Sequence, residues 1–134
     1  MENNPRVSIG ILVRRNEKIL LGKRKKYPAA WGIPGGKLEY GETIEECALR
    51  ELVEETGIRA KNARIVTATN DIFPEKKEHW ITIILVADYD GGTVTIREPD
   101  KCEEWKWFSW NEIPNPRSSP LENILKMNFS PFTI

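Results

Sequence analysis

The passage from a run of glycines and prolines into a single capped helix constrains this chain more than any other feature. Between Tyr27 and Gly41 stand Pro28, Gly32, Pro34, Gly35, Gly36 and Gly41. These are too many breakers for a helix or a long strand, so a shaped loop is expected. Thr43-Ile-Glu-Glu46 then has capping-box spacing, with Thr43 as N-cap and Glu46 at the third helical position. Gly57 stands where a left-handed C-cap residue belongs, so the spacing predicts one helix from about Thr43 to Thr56.

That helix is not patterned like an ordinary core helix. On a wheel at about 100° per residue from Ile44, the apolar face is set by Ile44, Ala48 and Leu52, with Cys47 on its flank. Glu51 falls at roughly 340° and Glu55 at roughly 20°, inside the apolar arc, and Glu54 at roughly 280° beside them. Three carboxylates in one sector repel each other unless water solvates them or a cation compensates them. A solvated acidic face is the plainer reading. The preceding loop favours the other one, because Gly35-Gly36 lets the backbone approach closely and can offer a carbonyl oxygen to a hard cation such as Mg²⁺. Arg50 and Glu54, four residues apart, are spaced to pair.

Around this unit the chain reads mainly as strands. Val7 to Val13 is β-branched and apolar, Asn16 marks a turn, and Ile19 to Leu21 follows as an antiparallel return. Ala63 to Thr69 and Trp80 to Tyr89 are strand-like, the second nearly continuous in apolar residues, as in a strand covered on both faces. Asp90-Gly91-Gly92 reads as a turn, Thr93 to Arg97 as the returning strand, and Glu104 to Trp110 as a half-buried strand. Pro114, Pro116 and Pro120 fence off a short helix around Leu121 to Met127.

Length and charge bound the function. A chain of 134 residues fits one domain, 1–134. Lys and Arg number 20 against 20 Asp and Glu, so no basic field draws in nucleic acid, and a small-molecule partner is expected. Cys47 and Cys102 are too few for a disulfide framework and read as packing residues. The N-terminal apolar run, broken by Gly10 and ended by Arg14-Arg15, falls far short of a membrane span. A cytoplasmic protein without membrane association is expected, as monomer or homodimer.

Residues 36–58, from Gly36 through Glu42, Arg50-Glu51-Leu52, Glu54-Glu55 and Gly57-Ile58, resemble the Nudix box, G-x5-E-x7-R-E-U-x-E-E-x-G-U with U apolar, at every fixed position. The lead-in Trp31-Gly32-Ile33-Pro34-Gly35 and the late stretch Trp105 to Pro114 are similar to the family as well. The resemblance implies an α+β fold, an α/β/α sandwich with a mixed, curved sheet whose loop-helix-loop carries divalent metal. It implies Mg²⁺-dependent attack of water on a diphosphate linkage in a nucleotide, with Mn²⁺ able to substitute. Glu51, Glu54 and Glu55 would be the metal-binding or water-activating carboxylates, and Gly35 would offer its carbonyl. Arg50 would orient the glutamates and Glu42 would shape the loop. A further metal carboxylate often precedes the late aromatic strand in this family, for which Glu103 is the nearest candidate and Glu104 the second.

Within the family the chain resembles the MutT-like nucleoside triphosphate pyrophosphatases, related to oxidised-purine and plant cytosolic Nudix enzymes, on His79 to Ile83, Glu98 to Glu103 and the ending through Phe132. The expected products are a nucleoside monophosphate and pyrophosphate. An ADP-ribose or nucleotide-sugar pyrophosphatase is the alternative. A non-catalytic nucleotide sensor is a third reading, against which every box carboxylate stands. Trp107, Phe73 and Trp80 are candidate base-stacking surfaces, although aromatics on alternating strands are more often core. His79 borders the substrate cleft in similar enzymes. Arg24, in the basic run Lys23 to Lys26, is the candidate phosphate contact, where the run is otherwise a solvated loop. Pro116 to Pro120 lacks the aromatic residue that helps relatives hold a base, so broad base selectivity is expected.

Overall fold

A computed structural model describes residues 3–26 and 29–133. Tyr27 and Pro28, the first residues of the expected loop, lie outside the described residues. The apolar segment before Asn16 forms β1 (Arg6–Arg15), which turns through Asn16 and Glu17 into antiparallel β2 (Lys18–Arg24). Both turn residues have positive φ, which asparagine tolerates well. Past this hairpin the two strands part company.

β1 pairs with β4 (Gly35–Lys37) on one side, and β2 pairs with β3 (Trp31–Gly32). The expected loop therefore contains two short strands. Each is too brief to be read from propensity, because its pairing comes from β1 and β2 and not from its own residues. On the other side β1 runs parallel to β6 (Glu78–Tyr89), which pairs antiparallel with β5 (Ala60–Phe73). β2 also pairs with β7 (Cys102–Ser109), so the mixed sheet has seven strands among the described residues.

The returning strand expected over Thr93 to Arg97 does not form. β5 already fills the place beside β6, and the backbone after Gly92 turns to the end of the Nudix-like helix, where the Thr95 amide donates to the Thr56 carbonyl at 2.9 Å. One of the helix's last carbonyls gains a partner in this way.

α1 (Ile44–Thr56) has the predicted bounds, the reciprocal Thr43–Glu46 capping box, and Gly57 in the left-handed conformation. Alternation along the central strands sends Ile9, Ile11, Val13, Leu20, Leu85 and Ala87 toward α1, where Cys47, Ala48 and Leu52 meet them. The intervening Leu12, Ile19, Leu21, Ile84 and Val86 pack on the opposite face against Leu121 and Ile124 of α2 (Ser119–Leu125). This two-faced core makes the α/β/α sandwich. No helix among the described residues is long and apolar enough to cross a membrane.

Candidate active site at the Nudix helix

The conflict on the helical wheel resolves into a cavity. Glu51 is 16% exposed and Glu54 52%, so the two carboxylates differ sharply in their contact with water. Glu51 lies against the loop with its carboxylate where a Cβ on Gly36 would stand, so a side chain there would push the carboxylate aside. Glu55 accepts from the Gly35 amide at 3.3 Å. Burial first, and then the neighbouring Glu51 carboxyl, raises the Glu55 carboxyl well above the ordinary carboxylate range.

Arg50 organises this group. Its Nε and Nη2 donate to the two Glu42 oxygens, each at 2.8 Å, while Nη1 reaches Glu51 at 3.3 Å and Glu54 at 3.2 Å. The expected Arg50–Glu54 pair is present, and the stronger grip is on Glu42. That hydrogen-bonded guanidinium lowers the Glu42 carboxyl to about 2. Glu42 also accepts from the Glu39 amide at 3.0 Å, which ties the loop to the helix through Arg50.

A cavity of about 330 Å³ opens over this cluster. Glu51, Glu54, Glu55 and Arg50 line it together with Gly35, Gly36 and Arg24. Lys37 and Lys101 add positive charge, and Trp105 forms an apolar wall. The sequence singled out none of these last three. For Trp105 the signal was the register, in which it lies opposite Gly22 and its ring occupies the space a side chain there would take.

Glu103 and Glu104 do not line the cavity, whereas Glu98 does. Both are exposed on β7, where the pairing with β2 is bulged between Lys23 and Arg24. The loop before the strand, and not the strand itself, brings a carboxylate to the site. Cys102 also lines it, and burial raises its thiol above the usual range.

The donor set suits a hard divalent ion. It consists of carboxylate and carbonyl oxygens, and Glu55 is buried beside Glu51 where a cation would relieve both. Among the described residues no group of three or more His, Cys, Asp or Glu side chains is placed to hold an ion by itself. Water, backbone oxygen and substrate phosphate would complete the shell of a bound Mg²⁺, as is usual for that ion.

A narrower space of about 160 Å³ shares Arg24, Gly35 and Gly36 with the cavity. It shares Ser8, Thr82 and Pro120 with a slot of about 220 Å³ walled by Phe73 and Trp80. Arg24 and Phe73 thus line neighbouring spaces that share wall residues. The structure places Trp107 elsewhere, packed toward the α1-side core and edge-on to Tyr89 at 6.0 Å, because its register partner is Leu20 and not Gly22. His79 lines neither space and pairs with Asn70 at 3.2 Å, since alternation on β6 puts it on the face opposite Trp80.

A carboxylate-floored cavity on a mixed-sheet sandwich has the oxygen donors that a hard cation takes, and comparison with known proteins gives the family. Residues 4–126 match the NUDIX domain family, and the chain belongs to the Nudix hydrolases. It is similar to the ADP-ribose pyrophosphatase of Methanocaldococcus jannaschii, 33% identical over 83% of this chain and 66% of that one. The NAD-capped RNA hydrolase NudC of Chromobacterium violaceum is 34% identical over 82% of this chain and 41% of its own length. The chain therefore spans just under two thirds of the first relative and about two fifths of the second. The crystal structure of a MutT NUDIX hydrolase from Burkholderia pseudomallei is 32% identical, with a TM-score of 0.86 over 94% of this chain and 99% of that one.

Proposed function

We propose that the protein hydrolyses a nucleoside triphosphate to the monophosphate and pyrophosphate, with Mg²⁺ as cofactor and Mn²⁺ able to replace it. The observation that carries this reading is the nearness of the carboxylate cavity to an aromatic slot: a third, narrower space shares Gly35 and Gly36 with the one and Ser8 and Thr82 with the other. A phosphate chain and a flat ring need those two environments side by side. The B. pseudomallei relative supports the MutT-like assignment over nearly the whole of both chains.

When bound, Mg²⁺ neutralises phosphate charge and lowers the pKa of a coordinated water. Glu51, Glu54, Glu55 and the Gly35 carbonyl would hold it. Arg50 keeps Glu51 and Glu54 in place through Nη1. Arg24, Lys37 and Lys101 meet the outer phosphates on the cavity wall. A glutamate of the cluster takes the proton of the attacking water at a carboxylate oxygen.

A second reading, an ADP-ribose or nucleotide-sugar diphosphate, is favoured by the name of the M. jannaschii relative. The NudC relatives act on NAD-capped RNA by name, so exclusion of nucleic acid rests only on the balanced charge of this chain. The deciding experiment is incubation with Mg²⁺ and a panel of NTPs, dNTPs, ADP-ribose, nucleotide-sugars and an NAD-capped oligonucleotide, with products separated by chromatography. Monophosphate and pyrophosphate from triphosphates, at higher kcat/KM than for the other substrates, would support the first reading. Faster cleavage of ADP-ribose would replace it with the second.

A further inference from the structure

Four cations line the carboxylate cavity, and one of them is already committed. Arg50 gives its guanidinium to Glu42, Glu51 and Glu54. Among the described residues the side chains of Arg24, Lys37 and Lys101 make no hydrogen bond or ion pair with the protein. Cations left unpaired at the wall of a cavity are available to an anionic ligand.

The three differ in where they stand relative to the aromatic slot. Lys37 borders both the cavity and the slot, and Arg24 borders both the cavity and the narrower space that shares residues with each. Of these three spaces Lys101 borders the cavity alone. Its backbone is also the most firmly placed. Glu98-Pro99-Asp100-Lys101 forms a tight turn, with proline at the second position where its fixed φ fits, and the Lys101 amide donates to the Glu98 carbonyl at 2.9 Å. The Cys102 amide donates to the same carbonyl at 3.0 Å, and the Lys101 carbonyl accepts from the Lys25 amide at 3.0 Å, which ties the turn to the chain just past β2. Glu98, at the other end of the turn, lines the same cavity and makes no ion pair with Lys101.

We infer that Lys101 binds the terminal phosphate of the substrate and thereby sets a preference for a triphosphate over a shorter chain. This rests on the nucleoside triphosphate reading, with the ring in the slot, and adds to it the residue that reads the length of the phosphate chain. Phosphates nearer the nucleoside pass Lys37 and Arg24, on the slot side, and the far end of the chain reaches Lys101. A nucleoside diphosphate ends one phosphate short of it, and ADP-ribose brings an uncharged sugar to that place. Lysine suits the position as a point charge that needs no forked geometry to meet a phosphate.

The test crosses truncation of the side chain with truncation of the substrate, by measuring kcat/KM for ATP and ADP in the unaltered protein and in Lys101→Gln. A charge-assisted contact made only by the last phosphate predicts that Lys101→Gln lowers the ratio of ATP to ADP about tenfold, carried mainly by KM. Lys101→Arg keeps the charge and should recover most of the ratio. Lys37→Gln should lower kcat/KM for both nucleotides alike and leave the ratio in place. If Lys101 merely holds the turn, Lys101→Gln will lower both alike. That result, no change in either, or a ratio lost in Lys37→Gln instead, would overturn the inference while leaving the hydrolase reading intact. Where one of the two nucleotides is not cleaved, calorimetric Kd values with Mg²⁺ replace kcat/KM, and an equal effect of Lys101→Gln on both would overturn the inference. If ATP is the one not cleaved, the triphosphate reading fails separately.

Discussion

Arg50 holds the Glu42 carboxylate in a two-pronged grip, both N···O distances 2.8 Å, and with its third nitrogen spans Glu51 and Glu54. The arginine is thus a brace between the loop before α1 and the carboxylates on it. Lysine carries the charge but cannot make the fork. Arg50→Lys is expected to lower Mg²⁺ affinity at least about tenfold, read by calorimetry, with a smaller loss of thermal stability. Unchanged affinity would show that the glutamates hold their places unaided.

Acid should expose the same contact. The Glu42 carboxyl lies at about 2 in the folded protein against 4.5 for an unperturbed glutamate, so its contribution to stability is full above about 4.5. It is lost as pH falls through about 2. Denaturant unfolding of the native protein between pH 5 and 2 should show this loss, and Glu42→Gln should flatten it.

Glu55 works in the opposite sense. Burial and Glu51 raise its folded-state pKa to about 8, so without metal the folded protein holds a proton that the unfolded chain releases near 4.5. That contribution is complete below about 4.5 and disappears as pH rises through about 8. In excess chelator, stability should therefore decline from pH 5 to 9, and Glu55→Gln should abolish the decline. The same variant should lose activity by orders of magnitude, having lost a hard anionic ligand while keeping its shape. A variant that melts early yet turns over normally would make Glu55 structural.

Much of this was legible in the sequence because α1 is specified locally. Its caps, its bounds and the misplaced glutamates all depend on residues within one helix and its flanks. What stayed hidden depends on pairing over long separations. Trp105 and Trp107 have the same parity and both pack against the α1-side core, and only the register with β2 puts Trp105, opposite Gly22, at the cavity as well. Glu98 and Glu103 lie on one acidic stretch, and the loop's path alone separates them. The strand expected at Thr93 to Arg97 failed for the same reason, since β5 competes for the edge of β6.

Those two placements can be tested in pairs. Glu98→Gln is expected to weaken Mg²⁺ binding about tenfold and Glu103→Gln to leave it unchanged. Phe73→Ala should raise KM for nucleotides about tenfold by removing one wall of the slot, while Trp107→Ala should cost stability with KM retained. Several nucleoside triphosphates should be cleaved with kcat/KM within about a hundredfold of each other. A larger preference that vanishes in Trp107→Ala would relocate the base.

The central claim is that water, activated beside the Glu51–Glu55 cluster with a divalent ion, attacks the inner phosphorus of a nucleoside triphosphate. It is tested most directly by running the reaction in ¹⁸O-labelled water, with Mg²⁺ and again in excess chelator, and locating the label by mass spectrometry. The predicted result is label in the monophosphate with Mg²⁺ and no turnover in chelator. Label in the pyrophosphate, or undiminished turnover without the metal, would contradict it.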